Sequence, residues 1–461
     1  MSPTGPGRAR GRTLTMDVLV GVDVGTTRIK ALAVTPSGDV VGEAAATTPW
    51  RHDGACADVD ADLLAQTAMD VADATLDDPR VGAEPHVRGI GVTGIAESGA
   101  LLDAEGRPCA PIMAWYDPRG LDAPIRERVE REEFWRACGI RLNSKPSLAK
   151  VLYLYREIPG ARERAARHLG VADWVANAMG GEQVAERSLV SRSGLYDVLR
   201  DERWQPAIDL VGDLVAPRII WAGERAGTAG DPAPPRLRGA ALTVAGLDHE
   251  AAAFAMGAMR TGVLTDSLGT AEALLRIFPP VDTDTLQRFV ARDIGMGWGV
   301  VPGYLCLVAG LLTGLSLERM CALLGLTDRD ARRRVAQEAA ALPHRDGTFR
   351  LTEVSHEGLT LSGVTESLTQ PQAWRGAVED LTENSTAVID FINAELGPHR
   401  EAMVTGGWSH DPMVALAKHR QLGDYTTSDV AEAASLGAAF FAGIAAGLLD
   451  RPGPHERPAW H

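Results

Sequence analysis

The stretch Val18-Leu19-Val20-Gly21-Val22-Asp23-Val24-Gly25-Thr26-Thr27-Arg28-Ile29-Lys30-Ala31-Leu32-Ala33-Val34 reads as two apolar strands joined by an Asp-x-Gly-Thr-Thr turn. Such a hairpin is built to handle phosphate. Gly25 lets the backbone approach a polyphosphate, the hydroxyls of Thr26 and Thr27 and nearby N–H groups donate to its oxygens, and Asp23 is placed to hold Mg²⁺. An ordinary hairpin with a polar turn is the competing reading, because Gly and Asp are common in such turns.

Further along, Val263-Leu264-Thr265-Asp266-Ser267-Leu268-Gly269-Thr270-Ala271-Glu272-Ala273-Leu274-Leu275 repeats the pattern of strand, Gly-Thr turn and strand. One hairpin in each half suits a duplicated α/β fold that grips one nucleotide's phosphates from two sides, as in the superfamily of actin, hexokinase and sugar kinases. Around the first hairpin the pattern predicts strands at 40–46 and 87–93 and a helix at 59–76, and alternating strands and helices imply an α/β core. A mostly helical insertion is expected from 123 to about 212, with helices at 146–156 and 161–168. The Pro- and Gly-rich run from Gly227 marks a loop near a domain boundary. The predicted domains are 16–243 and 244–450, with a disordered tail at 1–15 and a C-terminal tail at 451–461. Met16, directly before the first strand, is a second candidate start.

With 461 residues the chain is long enough for two domains that each bury a core. A formal charge of −15 argues against nucleic-acid or anionic-membrane partners, and no apolar run reaches the roughly 18 residues of a membrane span. The four lysines are Lys30, Lys145, Lys150 and Lys418. The five cysteines are scattered with no Cys-x-x-Cys pair, which fits reduced thiols and a cytoplasmic location.

Gly246-Leu247-Asp248-His249-Glu250 follows a strand and opens a helix of small residues, so Asp248 falls at a helix N-terminus. It is an N-cap, a general base taking a proton from a substrate hydroxyl, or both, since a helix N-terminus favours an ionised carboxylate. Thr405-Gly406-Gly407-Trp408 is a strand end and a Gly-Gly turn on which a flat ligand could lie, an adenosine site or an ordinary turn. Behind it the small-residue run Ala433-Ala434-Ser435-Leu436-Gly437-Ala438-Ala439 would let a helix pack closely. Gly94-Ile95-Ala96-Glu97 and Trp115-Tyr116-Asp117-Pro118-Arg119 end or follow strands, and their aromatic and acidic side chains suit a sugar pocket as well as a core tryptophan with an ion pair. His249, His356 and His410 lack metal-ligand spacing, and there is no Gly-x-Ser-x-Gly elbow or Walker lysine loop.

Taken in order, the Gly21-to-Thr27 hairpin, Leu101-to-Pro108, Trp115-to-Arg119, Gly246-Leu247-Asp248, Leu268-Gly269-Thr270, Arg375-to-Glu379, Gly406-Gly407 and Leu436-to-Ala439 make the chain resemble the FGGY family of carbohydrate kinases from about 16 to 449. The resemblance implies two actin-like (ribonuclease H-like) domains flanking a cleft, with ATP–Mg²⁺ mainly on the second and sugar mainly on the first. It implies that Asp248 is the catalytic base and Asp23 the Mg²⁺-associated aspartate. Gly25, Thr26 and Thr27 with Gly269 and Thr270 become the two phosphate turns, Gly406 and Gly407 the adenosine site, and Gly314 a nucleotide-side glycine. Glu97, Trp115, Asp117, Lys145, Asp248 and His249 fall on the substrate side.

Xylulose kinases carry Gly-Gln-Met-His where this chain has Gly94-Ile95-Ala96-Glu97, whereas Glu97 falls where glycerol kinases place the Glu of Asn-Gln-Arg-Glu. The expected acceptor is a ketopentose, the alternatives being a polyol or sugar acid, and a catalytically silent sugar or nucleotide sensor is the rival from another class. A homodimer is compatible with the sequence.

Overall fold

A computed structural model describes residues 16–343, 345, 347–428, 430–458 and 460; the expected tail at 1–15 lies outside them. The first sheet is built from β1 (Asp17–Val24), β2 (Arg28–Val34), β3 (Val40–Thr47), β4 (His86–Gly94) and β5 (Ala241–Leu247). Its spatial order is β5-β4-β1-β2-β3, with β1, β2 and β3 an antiparallel meander and β1, β4 and β5 parallel. The second sheet holds β6 (Val263–Leu268), β7 (Glu272–Phe278), β8 (Ile294–Trp298), β9 (Leu305–Leu311), β10 (Glu401–Thr405) and β11 (Thr426–Ser428), in the order β8-β9-β7-β6-β10-β11. Here β6, β7 and β9 form the meander, and β6, β10 and β11 run parallel. Apart from the extra edge strand β8, the second sheet repeats the order of the first. The duplication suggested by two Gly-Thr turns is thus a duplication of whole sheets.

Seven helices position the site: α1 (Ala61–Ala74), α2 (Ser147–Glu157), α3 (Arg187–Val190), α4 (Asp248–Ala255), α5 (Thr313–Leu323), α6 (Pro412–Leu422) and α7 (Ala433–Ala445). Both faces of β1 are covered, which explains its nearly unbroken apolar run. Val18, Val20, Val22 and Val24 point to the cluster that includes Leu64, Ala65 and Ala68 of α1, while Leu19 packs with Ala439 of α7. By strand alternation Asp23 shares the α7 face with Leu19 and Gly21.

Two expectations are corrected. Helix α7 does not pack behind Gly406-Gly407. It lies on the first sheet, where a Cβ at Gly21, Gly89 or Gly91 would collide with the α7 backbone; the glycines in β1 and β4 and the small residues of α7 allow this close approach. The expected boundary at 243/244 falls inside β5, an edge strand of the first sheet, and α7 packs on that same sheet. Residues 161–168 are split, because the helix Ala161–Arg164 gives way to a strand at Arg167–Gly170 that pairs with Gly99–Leu102.

The C-terminal segment is docked onto the protein. The Pro454 carbonyl accepts from the Thr261 N–H, and Trp460 stacks on Phe440 at 4.4 Å between centroids. Among the described residues no helix is long and apolar enough to cross a membrane.

Candidate active site

Parallel strands end together, and loops at their carboxyl ends are where α/β sheets bind ligands. Val24, Gly94 and Leu247 are register partners at the ends of β1, β4 and β5. The first Gly-Thr turn, the Glu97 loop and Asp248 therefore emerge at one edge. In the second sheet Leu268-Gly269-Thr270 and Gly406-Gly407 emerge side by side from the parallel strands β6 and β10.

The first turn is held from one side. The Gly25 carbonyl accepts from the Thr48 hydroxyl at 2.8 Å, the Thr26 carbonyl from the Trp50 indole at 2.7 Å, and the Thr27 carbonyl from the Thr48 N–H at 3.1 Å. With those carbonyls taken, the turn has mainly donors left to offer, the property an anion site needs. A Cβ on Gly25 would sit 2.9 Å from the Arg28 carbonyl, so only glycine fits there without a shift.

At the end of β1, Asp23 is half-buried, and its Oδ1 is shut off from solvent with no hydrogen-bond partner. Burial and, next, the neighbouring Asp248 carboxylate push its carboxyl up to about 8, against the pull of Lys30. Lys30 itself is tied to Glu432, just before α7, at 2.7 Å. An orphaned carboxylate oxygen near a second carboxylate fits a divalent cation, and Asp23 is the residue that would hold Mg²⁺ here. Among the described residues no cluster of three His, Cys, Asp or Glu side chains forms a protein-only metal cage.

Asp248 is the first residue of α4, and its Oδ1 accepts from the His249 N–H at 2.7 Å. A bulge sets its position: β5 leaves its register with β4 after Val244 and resumes at Leu247. Gly246 takes φ +79, and a Cβ on it would lie 2.6 Å from both the Ser188 hydroxyl and a Val300 methyl. Its carbonyl accepts from the Thr93 hydroxyl at 2.7 Å, and the Leu247 N–H donates to Ser188 Oγ at 2.9 Å. Ser188 is fixed in turn by Glu186 Oε2, which takes both its N–H and its O–H. The chain Glu186–Ser188–Leu247 is a support for Asp248 that sequence reading missed, because Glu186 and Ser188 lie about sixty residues upstream.

The substrate-side residues divide. Glu97 adopts φ +58 and pairs with Arg192 at 2.6 Å. Arg192, also missed, lies against β8 of the second sheet, where a Cβ on Gly295 would approach it to 2.9 Å. Trp115 donates its indole N–H to the Thr26 hydroxyl at 3.0 Å, and the Lys145 ammonium sits 5.1 Å from its ring centroid. Lys145 and His249 are exposed. Asp117 does not join them: it is fully buried, and its carboxylate binds the Ala57 N–H at 2.8 Å and Arg119 at 2.6 Å. It anchors the loop and has no free face for a sugar.

At the second Gly-Thr turn the Gly269 N–H donates to the Ala271 carbonyl, and the Thr270 carbonyl accepts from the Leu315 N–H at 2.7 Å. Gly314 is buried against the Gly269 carbonyl, where any Cβ would collide. Its observed contact is packing of α5 under the turn. Beneath the hairpin, Lys418 of α6 is buried between Asp266, at 2.7 Å, and Glu272, at 2.6 Å, while Thr313 donates to Glu272. Gly406 has φ +94 and a Cβ there would hit the Leu268 backbone, whereas a Cβ on Gly407 would meet no atom within 4 Å. Gly407 thus offers an open backbone surface.

The sequence model of the FGGY family of carbohydrate kinases, N-terminal domain, matches residues 18–253. The chain belongs to this family. It is 26% identical over 457 residues to the L-fuculokinase of Escherichia coli (strain K12), covering 95% of this chain and 94% of that protein. To the glycerol kinase of Aromatoleum aromaticum it is 25% identical over 468 residues, covering 94% and 91%. The crystal structure of xylulose kinase from Rhodospirillum rubrum superposes with a TM-score of 0.79 at 20% identity, over 93% of this chain and 91% of that one. The FGGY fold, two actin-like units, is therefore confirmed, and with it an ATP-dependent carbohydrate kinase, a phosphotransferase acting on an alcohol group.

Proposed function

We propose that this FGGY kinase transfers the γ-phosphoryl group of ATP to a hydroxyl of a small ketose or polyol, with Asp248 as the general base. The observation that carries the reading is that Asp248 and Asp23 emerge at the same edge of the first sheet, from β5 and β1 on either side of β4, beside a turn whose carbonyls are taken. The Asp248 carboxylate takes the proton of the acceptor hydroxyl as that oxygen bonds to the γ-phosphorus and the bond from phosphorus to the β,γ-bridging oxygen breaks, releasing ADP. Mg²⁺, when bound, neutralises phosphate charge. Thr26, Thr27 and the second turn at Gly269-Thr270 orient the phosphates, Gly407 offers its flat backbone to the adenosine, and Glu97, Trp115, Lys145 and His249 surround the acceptor.

The relatives' names keep L-fuculose, glycerol and D-xylulose open as acceptors. Glu97 with Trp115 supports an acceptor that presents hydroxyls to a carboxylate and a C–H face to a ring. The test is Mg²⁺-dependent ADP release with L-fuculose, D-xylulose, glycerol and gluconate, for the wild type and Asp248→Asn. One acceptor should stimulate release, and the variant should lose about 10²-fold or more in kcat. Full activity in Asp248→Asn would remove the base assignment, and acceptor-independent release of phosphate would point to hydrolysis.

A further inference from the structure

Lys150 lies on the buried face of α2 among Leu148, Ala149, Val151 and Leu152. Its ammonium meets no carboxylate within ion-pairing distance among the described residues. It donates instead to three backbone carbonyls: Glu97 at 3.0 Å, Trp115 at 3.2 Å, and Lys145. A lysine ammonium has three protons, and all three are used. Burying a long cation without an anionic partner is unfavourable, and burial lowers the Lys150 pKa to about 8. A neutral side chain could fill this space, so the charge needs a reason beyond packing.

The acceptors supply one. The three carbonyls come from segments separated in sequence by 18 and 30 residues, read as 97 to 115 and 115 to 145. Each belongs to a residue whose side chain is placed at the acceptor: Glu97 with its Arg192 partner, Trp115 on Thr26, and Lys145 over Trp115. Glu97 is held in the left-handed region at φ +58, a conformation that a non-glycine residue keeps only when its surroundings impose it. We infer that Lys150 is a positioning residue of this wall, a single ammonium that gathers the backbones of Glu97, Trp115 and Lys145 and so sets the geometry in which the acceptor is read. The inference rests on the kinase reading only in calling that wall the acceptor's.

The first test does not need activity. Hydrogen–deuterium exchange of Lys150→Met, which keeps the stem and removes every donor, should rise in segments 95–98, 115–119 and 143–146 together, with the Gly269-Thr270 and Gly406-Gly407 turns unchanged. Equal protection in the three segments, or a rise spread over the whole chain, would overturn the proposal. The second test is kinetic, with whichever of L-fuculose, D-xylulose, glycerol or gluconate the wild type accepts. Lys150→Met should raise the acceptor KM at least tenfold and leave the ATP KM within about twofold; a parallel rise of both would mean a structural role only.

The wild type gives a third readout should the variant fail to fold. The charged and titratable groups facing Lys150 are Glu97, Asp117, Lys145 and His168. As the ammonium loses its proton above pH 8, two N–H donors remain for three carbonyls, so the acceptor KM should climb between pH 7 and 9.5. An acceptor KM flat across that range would also overturn the proposal. Should no acceptor stimulate the wild type, the kinase reading falls, and the exchange experiment still decides the role of Lys150.

Discussion

The indole N–H of Trp115 donates to the hydroxyl oxygen of Thr26 at 3.0 Å, joining the proposed acceptor wall to the first Gly-Thr turn. Because that oxygen already accepts, the Thr26 O–H is free to point at an incoming phosphate oxygen. Trp115→Phe keeps a ring of similar shape for the acceptor and deletes this one bond, worth about 1 kcal/mol. The expected result is a loss of roughly fivefold in kcat/KM for both acceptor and ATP, measured by steady-state kinetics. A loss confined to the acceptor would show that the ring serves only as a stacking surface.

Asp23 and Asp248 make a second prediction, in which stability and activity move in opposite directions. Burial and, next, the Asp248 carboxylate both disfavour an ionised Asp23, and its Oδ1 has no hydrogen-bond partner to relieve it. Asp23→Asn keeps the shape and removes a carboxyl that folding must protonate or hold ionised against burial. Without nucleotide or Mg²⁺ its thermal midpoint should rise by a few degrees, as is common where a functional site is built from destabilising groups. Its kcat should fall by about 10²-fold or more, and its apparent Mg²⁺ requirement should shift upward. A variant less stable than the wild type would mean that Asp23 holds the fold together.

How much of this was legible follows from where each signal resides. Both Gly-Thr hairpins and the strand leading to Asp248 could be read because turn chemistry and apolar runs are local. The docking of α7 on the first sheet had a local trace as well, Gly89 and Gly91 spaced by two in an otherwise apolar strand, the mark of close backbone approach. Its partner was misjudged because small residues announce contact without naming what they touch. Arg192 was invisible: it is one of 46 basic residues, and only the fold carries it from α3's end to Glu97. The partners of Asp117 were not legible, because an acidic residue after a tryptophan looks the same whether it faces a sugar or, as here, Arg119 and the Ala57 N–H.

Lys418 tests how the nucleotide side is braced. Its ammonium lies between Asp266 of β6 and Glu272 of β7, and it reaches them from α6, the helix that follows the Gly-Gly turn. Removing it leaves two buried carboxylates facing each other, so Lys418→Met should lose roughly 3–5 kcal/mol in urea unfolding. The triple change Lys418→Met with Asp266→Asn and Glu272→Gln should recover much of that loss, because no buried charge is then left unpaired. Where these variants fold, the ATP KM should rise more than the acceptor KM.

The two adjacent glycines give the sharpest separation of folding from binding. At Gly406 the backbone sits at φ +94 and a Cβ would strike the Leu268 backbone, so Gly406→Ala should be strongly destabilising whatever the ligand. At Gly407 the conformation is not left-handed and the Cβ position opens on empty space, so Gly407→Ala should fold as well as the wild type, or better by up to about 1 kcal/mol. If adenosine lies flat on this turn, the added methyl occupies its place and the ATP KM should rise by about tenfold with the acceptor KM unchanged. An unaltered ATP KM in a well-folded Gly407→Ala would move the adenosine off this turn, while leaving the proposed phosphate roles of Thr26 and Thr270 as they stand.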